Sequence, residues 1–206
     1  MNDNMNANID ITGVRLESPR LILREWNLSD VDDLFEYASV PGVGEMAGWP
    51  HHKDKEESLF RVNRFIETKR TFALIYKENN KVIGSLGIEL YAAEESFPEL
   101  MDYQGRSIGY VLSKDYWGRG LMPEAVKLVI DYCFNVLKLD FLFCDRYDFN
   151  NQSRRVQEKC GFKQYRRDIS STNYGTRETG VMNILVNPNN KDIKLDFSKS
   201  EEVLDR

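Results

Sequence analysis

The stretch from Tyr116 to Ala125, with Gly118 and Gly120 two residues apart and Pro123 just beyond, constrains this chain more than any other. It follows an alternating apolar run, Ile108 to Leu112, that reads as a β-strand, and it opens a long apolar helix. Glycines at such a bend adopt conformations that other residues resist, and their missing Cβ atoms let a bulky group approach the main chain. Pro123 is placed at the first helical position, where its lack of an N–H costs nothing. The first turn of a helix carries unpaired amides and about half a positive charge, so it attracts anions. Strand, glycine turn and helix start together predict a cradle for a phosphate-bearing cofactor on Trp117, Gly118, Arg119, Gly120, Leu121 and Met122.

The elements around this turn read as a mixed α/β string without repeats. Arg20–Trp26 is a strand. Ser29 is placed as the cap of a helix running to about Val40, because Val31, Leu34, Phe35 and Ala38 recur at helical spacing. Glycines and prolines make 41–50 a loop. A second amphipathic helix covers Lys55–Thr68, with Leu59, Val62, Phe65 and Ile66 placed inward. Phe72–Lys77 and Lys81–Leu90 form a hairpin about Asn79 and Asn80, and 91–105 is irregular and acidic. The helix from Pro123 to about Lys138 is polar only along Lys127, Asp131, Asn135 and Lys138, as in a helix packed against a sheet. Phe141–Cys144 is a strand. Asn150 caps a helix ending at Cys160, with Gly161 left-handed and Phe162 its apolar follower. Strands at about Phe162–Ile169 and Arg177–Val186 close the domain. Residues 1–13 are a polar N-terminal extension, 14–187 one domain, and 188–206 a charged tail. In that tail Ile193, Leu195 and Phe197 alternate like an edge strand or a partner contact, which offers a homodimer; the alternative is a loosely ordered tail.

At 206 residues, 41% of them hydrophobic and 30% charged, the chain suits a single soluble domain with a full core. A net charge of -5 without a basic run argues against a nucleic-acid binder. Cys133, Cys144 and Cys160 lack metal-site spacing; Cys133 and Cys144 sit in apolar runs, as core thiols of a reducing compartment do. No secretion signal and no membrane-length apolar run is legible, so the expected location is cytoplasmic, with no metal and no membrane partner.

The strand, the turn Trp117-Gly118-Arg119-Gly120, the buried helix, a second strand and the series Asn150, Ser153, Lys159, Gly161, Phe162 together resemble the Gcn5-related N-acetyltransferase (GNAT) superfamily. Ser18 to Arg24 and Gly48-Trp49-Pro50 are similar to the branch of ribosomal-protein N-terminal alanine and serine acetyltransferases. The likeness runs from about Glu17 to Asn187. It implies an α/β (α+β) fold, a single GNAT-like domain with a mixed, mostly antiparallel sheet, splayed central strands and flanking helices. It implies acetyl-CoA as cosubstrate, with its pyrophosphate on the amides of Trp117 to Met122. The pantetheine arm would follow Tyr110, Val111 and Leu112 in the gap beside the strand at Phe141. Asn150 would reach the pantetheine, and Ser153 would lie near the thioester sulfur. Arg119 reads either as a phosphate partner or as a solvated cation. Glu124 is expected to point away from the phosphates.

The resemblance also implies direct attack of an amine on the thioester, with a backbone N–H near Val111 or Leu112 as oxyanion donor. Where many members carry a tyrosine acid this chain has Gln157, and where they carry a glutamate it has Ser107. Ser153 becomes the replacement donor, or else a helix-start residue bonded only to backbone. Glu89 becomes the base, or else a surface carboxylate. At about pH 7 an α-amine of pKa about 8 is roughly a tenth neutral, whereas a lysine amine is neutral about four times in ten thousand. Scarcity of carboxylates therefore favours an acceptor of low pKa. Glu94, Glu95, Glu99 and Asp102 would draw a cation, or form a solvated loop. Trp49 would wall the acceptor pocket or pin its loop, beside His51 and His52. Two functions follow: an N-acetyltransferase acting on a peptide N-terminus or a small amine, and a non-catalytic acyl-CoA-binding or sensing module. A nucleotide-binding domain lacks its glycine-loop signatures.

Overall fold

Alternation along the central strands sorts the apolar residues onto two faces of one sheet. The computed structural model describes residues 6–91 and 97–204. Among these, nine strands are present: β1 (Leu16–Glu17), β2 (Leu21–Arg24), β3 (Thr71–Tyr76), β4 (Lys81–Glu89), β5 (Gly105–Leu112), β6 (Phe141–Tyr147), β7 (Lys163–Ser171), β8 (Arg177–Val186) and β9 (Val203–Leu204). Their order is β1-β2-β3-β4-β5-β6-β8-β7-β9. Neighbours are antiparallel except β5 with β6 and β7 with β9. The helices are α1 (Val31–Ala38), α2 (Lys55–Thr68), α3 (Leu121–Asp131) and α4 (Asn151–Lys159). No helix among the described residues is long and apolar enough to cross a membrane.

One face carries Leu23, Phe72, Leu86, Ile108 and Leu142, buried beneath Ala125, Val126 and Val129 of α3. Ala73, Ile75 and Val82 face the other way, against Leu34 of α1 and Val62 of α2. Beyond them on that face, Tyr91, Phe97, Phe141, Phe143 and Tyr165 form an aromatic cluster. Among the described residues no helix roofs the face between α1/α2 and this cluster, and there the glycine at 109 is exposed in mid-sheet.

Several expectations are corrected in detail. Gly120, left-handed at φ 74°, caps α3, so the helix starts at Leu121 and Pro123 occupies its third position rather than its first. A proline is tolerated there because that amide still has no carbonyl four residues back within the helix. Past Asp131 the helix widens into a π turn, Tyr132–Val136, which turns Tyr132, Cys133 and Phe134 all inward. Asn27, not Ser29, caps the approach to α1, in a capping box with Asp30. Asp30 is buried and receives the Arg24 guanidinium at 2.7 and 2.8 Å, a geometry the hydroxyl of Ser29 cannot match. On α2 only Ser58 and Val62 are buried; Leu59 and Ile66 are exposed, because the helix turns Ser58 toward His52.

Described residues toward both termini pack against the domain. Ile9 and Ile11 are buried, and the Ala7 carbonyl accepts the Arg106 guanidinium. In the tail, Ile193 and Leu195 pack on the aromatic cluster and Phe197 meets Tyr165 edge-on, but 193–197 form no strand. The strand of the tail is β9, along β7. Of the acidic run, Glu94 and Glu95 lie outside the described residues. Glu99 accepts from the Tyr165 hydroxyl, and Asp102 is exposed.

The glycine turn is tied down by Glu124. Its carboxylate accepts from the Ser18 hydroxyl at 2.6 Å and from Arg20 Nε at 2.8 Å, while Arg20 Nη1 holds the Arg119 carbonyl at 2.9 Å. Partial burial opposes ionisation of Glu124, but the Ser18 and Arg20 hydrogen bonds outweigh it and hold its pKa below the usual range. A depressed carboxyl pKa contributes stability above the unfolded value and loses it as pH falls. Glu124→Gln should therefore unfold roughly 0.5–1 kcal/mol more easily near neutral pH. In urea titrations the difference from wild type should close below the ordinary glutamate pKa of 4.5.

Candidate active site

Strand β5 begins paired on both sides and ends paired on one. Gly105, Arg106 and Ser107 match Phe141, Leu142 and Phe143 of β6, and past these residues the two strands part. On the other edge β5 stays paired with β4 as far as Leu112. The Ser113 N–H donates to the Ile83 carbonyl at 2.7 Å. Because hydrogen bonding alternates along an antiparallel ladder, the amides of Gly109 and Val111 also face β4, and those of Tyr110 and Leu112 face the gap. The Trp117 indole N–H donates to the Leu112 carbonyl at 2.8 Å, which bends the chain out of the strand into the glycine turn.

A cleft of about 390 Å³ runs through this gap to the start of α3. Gly118 (φ 76°) and Gly120 (φ 74°) make two left-handed steps there, and Leu121, Met122 and Pro123 line the same wall. Arg155 and Lys159 of α4 line the opposite wall, and neither has an ion-pair partner among the described residues. Arg119 is turned elsewhere, its guanidinium 5.1 Å from the centre of the Tyr116 ring. Glu124 points to Ser18 and Arg20, away from the cleft as expected. Arg155 and Lys159 were not singled out as cofactor cations by sequence; their signal was a pair of bases four apart on a helix, on one face.

At the start of α4 a polar cluster crosses the gap. Asn150 Oδ1 accepts from the Ser153 N–H at 3.0 Å, the cap its position predicts, and Asn150 Nδ2 donates to the Met46 carbonyl at 2.9 Å. Both ends of that amide are thus engaged with protein. Ser153 Oγ lies 2.9 Å from the Tyr110 hydroxyl and 3.1 Å from Gln157 Nε2. Burial drives the Tyr110 pKa well above its ordinary value. Tyr110 therefore stays protonated throughout the neutral range.

A second cavity, about 310 Å³, opens on the face left bare between α1/α2 and the aromatic cluster. Trp49, Phe65 and Leu34 give it apolar walls, with His52, Arg61, Glu89 and the phenols of Tyr37 and Tyr110 the ionisable groups in its lining. Trp49 also fits over Gly44, where any Cβ would collide with the indole, so it both walls the cavity and fixes its loop. His52 Nδ1 pairs with the buried Ser58 hydroxyl at 2.7 Å, and burial lowers the pKa of His52. His51 is held instead against Glu45 at 2.8 Å. Glu89 has both oxygens engaged, one by Thr71 at 3.1 Å and the other by Arg70 at 2.8 Å.

The two cavities share Ala47, Gly109, Tyr110 and Val111. Beside that junction stands a carboxylate the sequence reasoning passed over. Ser107 is in register with Phe143, so two residues on Asp145 would face Gly109 had the pairing continued. Asp145 is open to the cleft, yet protein walls the cleft around it and Asp168 adds a second negative charge. Desolvation first and Asp168 second push its pKa up to about 7. Its signal in the sequence was an acid placed where an apolar strand leaves the core.

The geometry agrees with comparisons to known proteins. Residues 20–163 match the family described as the acetyltransferase (GNAT) domain. The uncharacterized N-acetyltransferase p20 of Bacillus licheniformis is 31% identical over 154 residues, covering 72% of this chain and 82% of that protein. The ribosomal-protein-S5-alanine acetyltransferase of Vibrio fischeri superposes with a TM-score of 0.66 at 21% identity, over 88% of this chain and 99% of that one. The microcin C7 self-immunity acetyltransferase MccE, solved with acetyl-CoA and AMP, superposes with a TM-score of 0.67 at 14% identity, over 82% of this chain and 93% of that one. The splayed sheet, the glycine turn and the matched domain place this chain in the GNAT family of acetyltransferases.

Proposed function

We propose that this protein transfers the acetyl group of acetyl-CoA to the amine of a compact acceptor held over Gly109. The observation that carries this is the junction of two cavities at Gly109–Val111, with Asp145 across the gap. The cofactor-sized cavity fits the group: left-handed glycines and free amides at a helix start offer a diphosphate site, and Arg155 and Lys159 add charge. Acetyl-CoA supplies an activated acetyl group as a thioester. Trp117, Gly118, Gly120, Leu121 and Met122 would hold its phosphates, and Tyr110, Val111 and Leu112 its pantetheine arm. The amides of Tyr110 and Leu112 are the ones turned to the gap, so the oxyanion donor lies at one of these rather than at Val111. The role of base falls to Asp145, whose carboxylate pairs with no cation among the described residues, whereas Glu89 is tied to Arg70 and Thr71. A pKa about 7 suits a group that must take a proton near neutrality.

The charge of the acceptor cavity points to an amine that also carries an anionic group. Arg61 lines it without an ion-pair partner among the described residues, and the carboxylate of Glu89 is already matched by Arg70. Apolar walls at Trp49 and Phe65 leave little for a polycation. A peptide N-terminus with a nearby carboxylate, or a free amino acid, meets these demands; a polyamine does not.

Free-thiol release from acetyl-CoA, measured against amino acids, their amides, short peptides and polyamines, should favour the carboxylate-bearing amines. Arg61→Gln should raise their KM about tenfold, the scale of one charge-assisted contact, and leave the amides unaffected. Binding of acetyl-CoA without turnover on any amine would support the sensing module instead.

Gly120→Ala forces a side chain into the left-handed region, at a cost of about 1–2 kcal/mol. It should weaken acetyl-CoA binding by calorimetry more than it lowers the melting temperature would explain; unchanged affinity would remove the phosphate assignment. In pH–rate profiles, Asp145→Asn should abolish the acidic limb near pH 7, and Glu89→Gln should leave that limb in place. The raised pKa also has a stability consequence. The folded state holds the Asp145 proton more tightly, so stability falls as pH rises from the ordinary aspartate value of 3.8 to about 7. Above that window Asp145→Asn should melt higher than wild type.

A further inference from the structure

The polar cluster on α4 has a direction, and Gln157 sets it. This side chain is 2% exposed. Its Nε2 lies 3.3 Å from the Asp145 carbonyl and 3.1 Å from Ser153 Oγ, and its Oε1 accepts from Asn183 Nδ2. A backbone carbonyl only accepts, so the Asp145 carbonyl requires the amide nitrogen, not the oxygen, on this side. Asn183 donating at the other end requires the same. Gln157 is therefore a donor to Ser153 Oγ.

That orientation decides how many protons remain for a ligand. Ser153 and Tyr110 hold one O–H each, and one of the two makes the 2.9 Å bond between them. With Gln157 donating, the other O–H is left over. Were the amide reversed, Ser153 would donate to Gln157 and Tyr110 to Ser153, and none would remain. The protein offers that leftover proton only weak neutral acceptors, the Ser153 carbonyl, 3.3 Å from the Tyr110 hydroxyl, and the buried Cys144 sulfur beside the same hydroxyl. An anionic sulfur is a much stronger acceptor than a neutral carbonyl at that distance.

We propose that Gln157 is a positioning residue whose amide, fixed by Asp145 and Asn183, orients the Ser153–Tyr110 pair so that one hydroxyl donates to the departing thiolate sulfur. This rests on the acetyl-CoA reading above. In the transfer, the N–C bond forms, the C–S bond breaks, and its electron pair passes to sulfur. The amine proton goes to Asp145. The hydroxyl stabilises the thiolate by hydrogen bonding without giving up its proton, and the sulfur is protonated by water after release. Gln157 thus stands where an ionisable acid would otherwise be needed, and makes two neutral hydroxyls do its work.

The test titrates the thiol of bound CoA by its thiolate ultraviolet absorbance, as the difference between CoA-loaded and CoA-free protein. Wild type should lower the pKa of that thiol relative to free CoA. Gln157→Glu, whose ionised form only accepts, should engage the leftover hydroxyl and, with its added charge, raise the bound thiol by about one pKa unit, a tenfold change in ionisation. The same variant should lose about tenfold in kcat, with KM for acetyl-CoA within about twofold of wild type, since the contact matters only as charge develops on sulfur. Gln157→Met keeps the volume without orienting the pair, guards against a misfolded glutamate variant, and should shift the thiol in the same direction by less. A thiol pKa identical in wild type and in both variants would overturn the proposal. Wild type that binds no CoA would instead overturn the acetyl-CoA reading, and this proposal with it.

Discussion

The parting of β5 from β6 after Ser107 is the constraint on which the rest depends. A sheet that loses a neighbour in its middle leaves main-chain donors and acceptors unpaired, and buried groups of that kind are costly. Here the exposed edge is turned to use. The amides of Tyr110 and Leu112 face a cleft, and the strand that would have covered them is replaced by the first turn of α4. The tie across the gap is made by side chains: Tyr110 to Ser153, Asn150 to the loop at Met46, and Gln157 to the Asp145 carbonyl. Each is a tie of one or two hydrogen bonds, so the gap is braced without being filled.

The same parting explains the unusual charge at Asp145. In a closed sheet this position would lie over Gly109 beneath neighbouring side chains, and an acid there would be intolerable. In the splayed sheet it has an outlet to the cleft, enough to ionise near neutrality but not at the ordinary aspartate value. On the proposed reading, the stability forgone there would be the counterpart of a base matched to neutral pH. Glu89, diagonal to Gly109 on β4, shows the opposite solution, a carboxylate fixed by Arg70 and Thr71. Two acids flank one glycine, and their surroundings separate their roles.

Much of this was legible in sequence where one local rule governs. The glycine turn, the cap at Asn150 and the left-handed Gly161 depend on backbone chemistry within a few residues, and the structure has all three. The helix at Lys55–Thr68 was also legible in its span, but its inward face was not, because a buried hydroxyl–imidazole bond from Ser58 to His52 turns Leu59 and Ile66 outward. Periodicity counts apolar residues and cannot weigh such a bond. Pro123 was read as the helix start because nothing in its own chemistry reveals that Gly120 has already begun the helix. Asp145 and Arg61 escaped for a different reason. Their roles come from the register of β5 against β6 and from the position of α2 over a bare patch of sheet, and neither relation is carried by nearby residues.

The acceptor side shows how misleading charge can be when it is read along the chain. Along the chain the acidic run reads either as a draw for cations or as a solvated loop; of its described members, Glu99 is bonded to Tyr165 in the aromatic cluster and Asp102 lies on the surface. The cavity beside Gly109 is lined instead by Arg61 and by a glutamate already neutralised by Arg70. Charges that meet a ligand in a walled cavity act at short range and low dielectric, while charges on a solvated loop are screened within about 10 Å. Among the described residues the charges of the lining therefore outweigh those on the surface. On the proposed reading, Arg61 would take the anionic substituent and Asp145 the amine, so the two negative charges would have different partners.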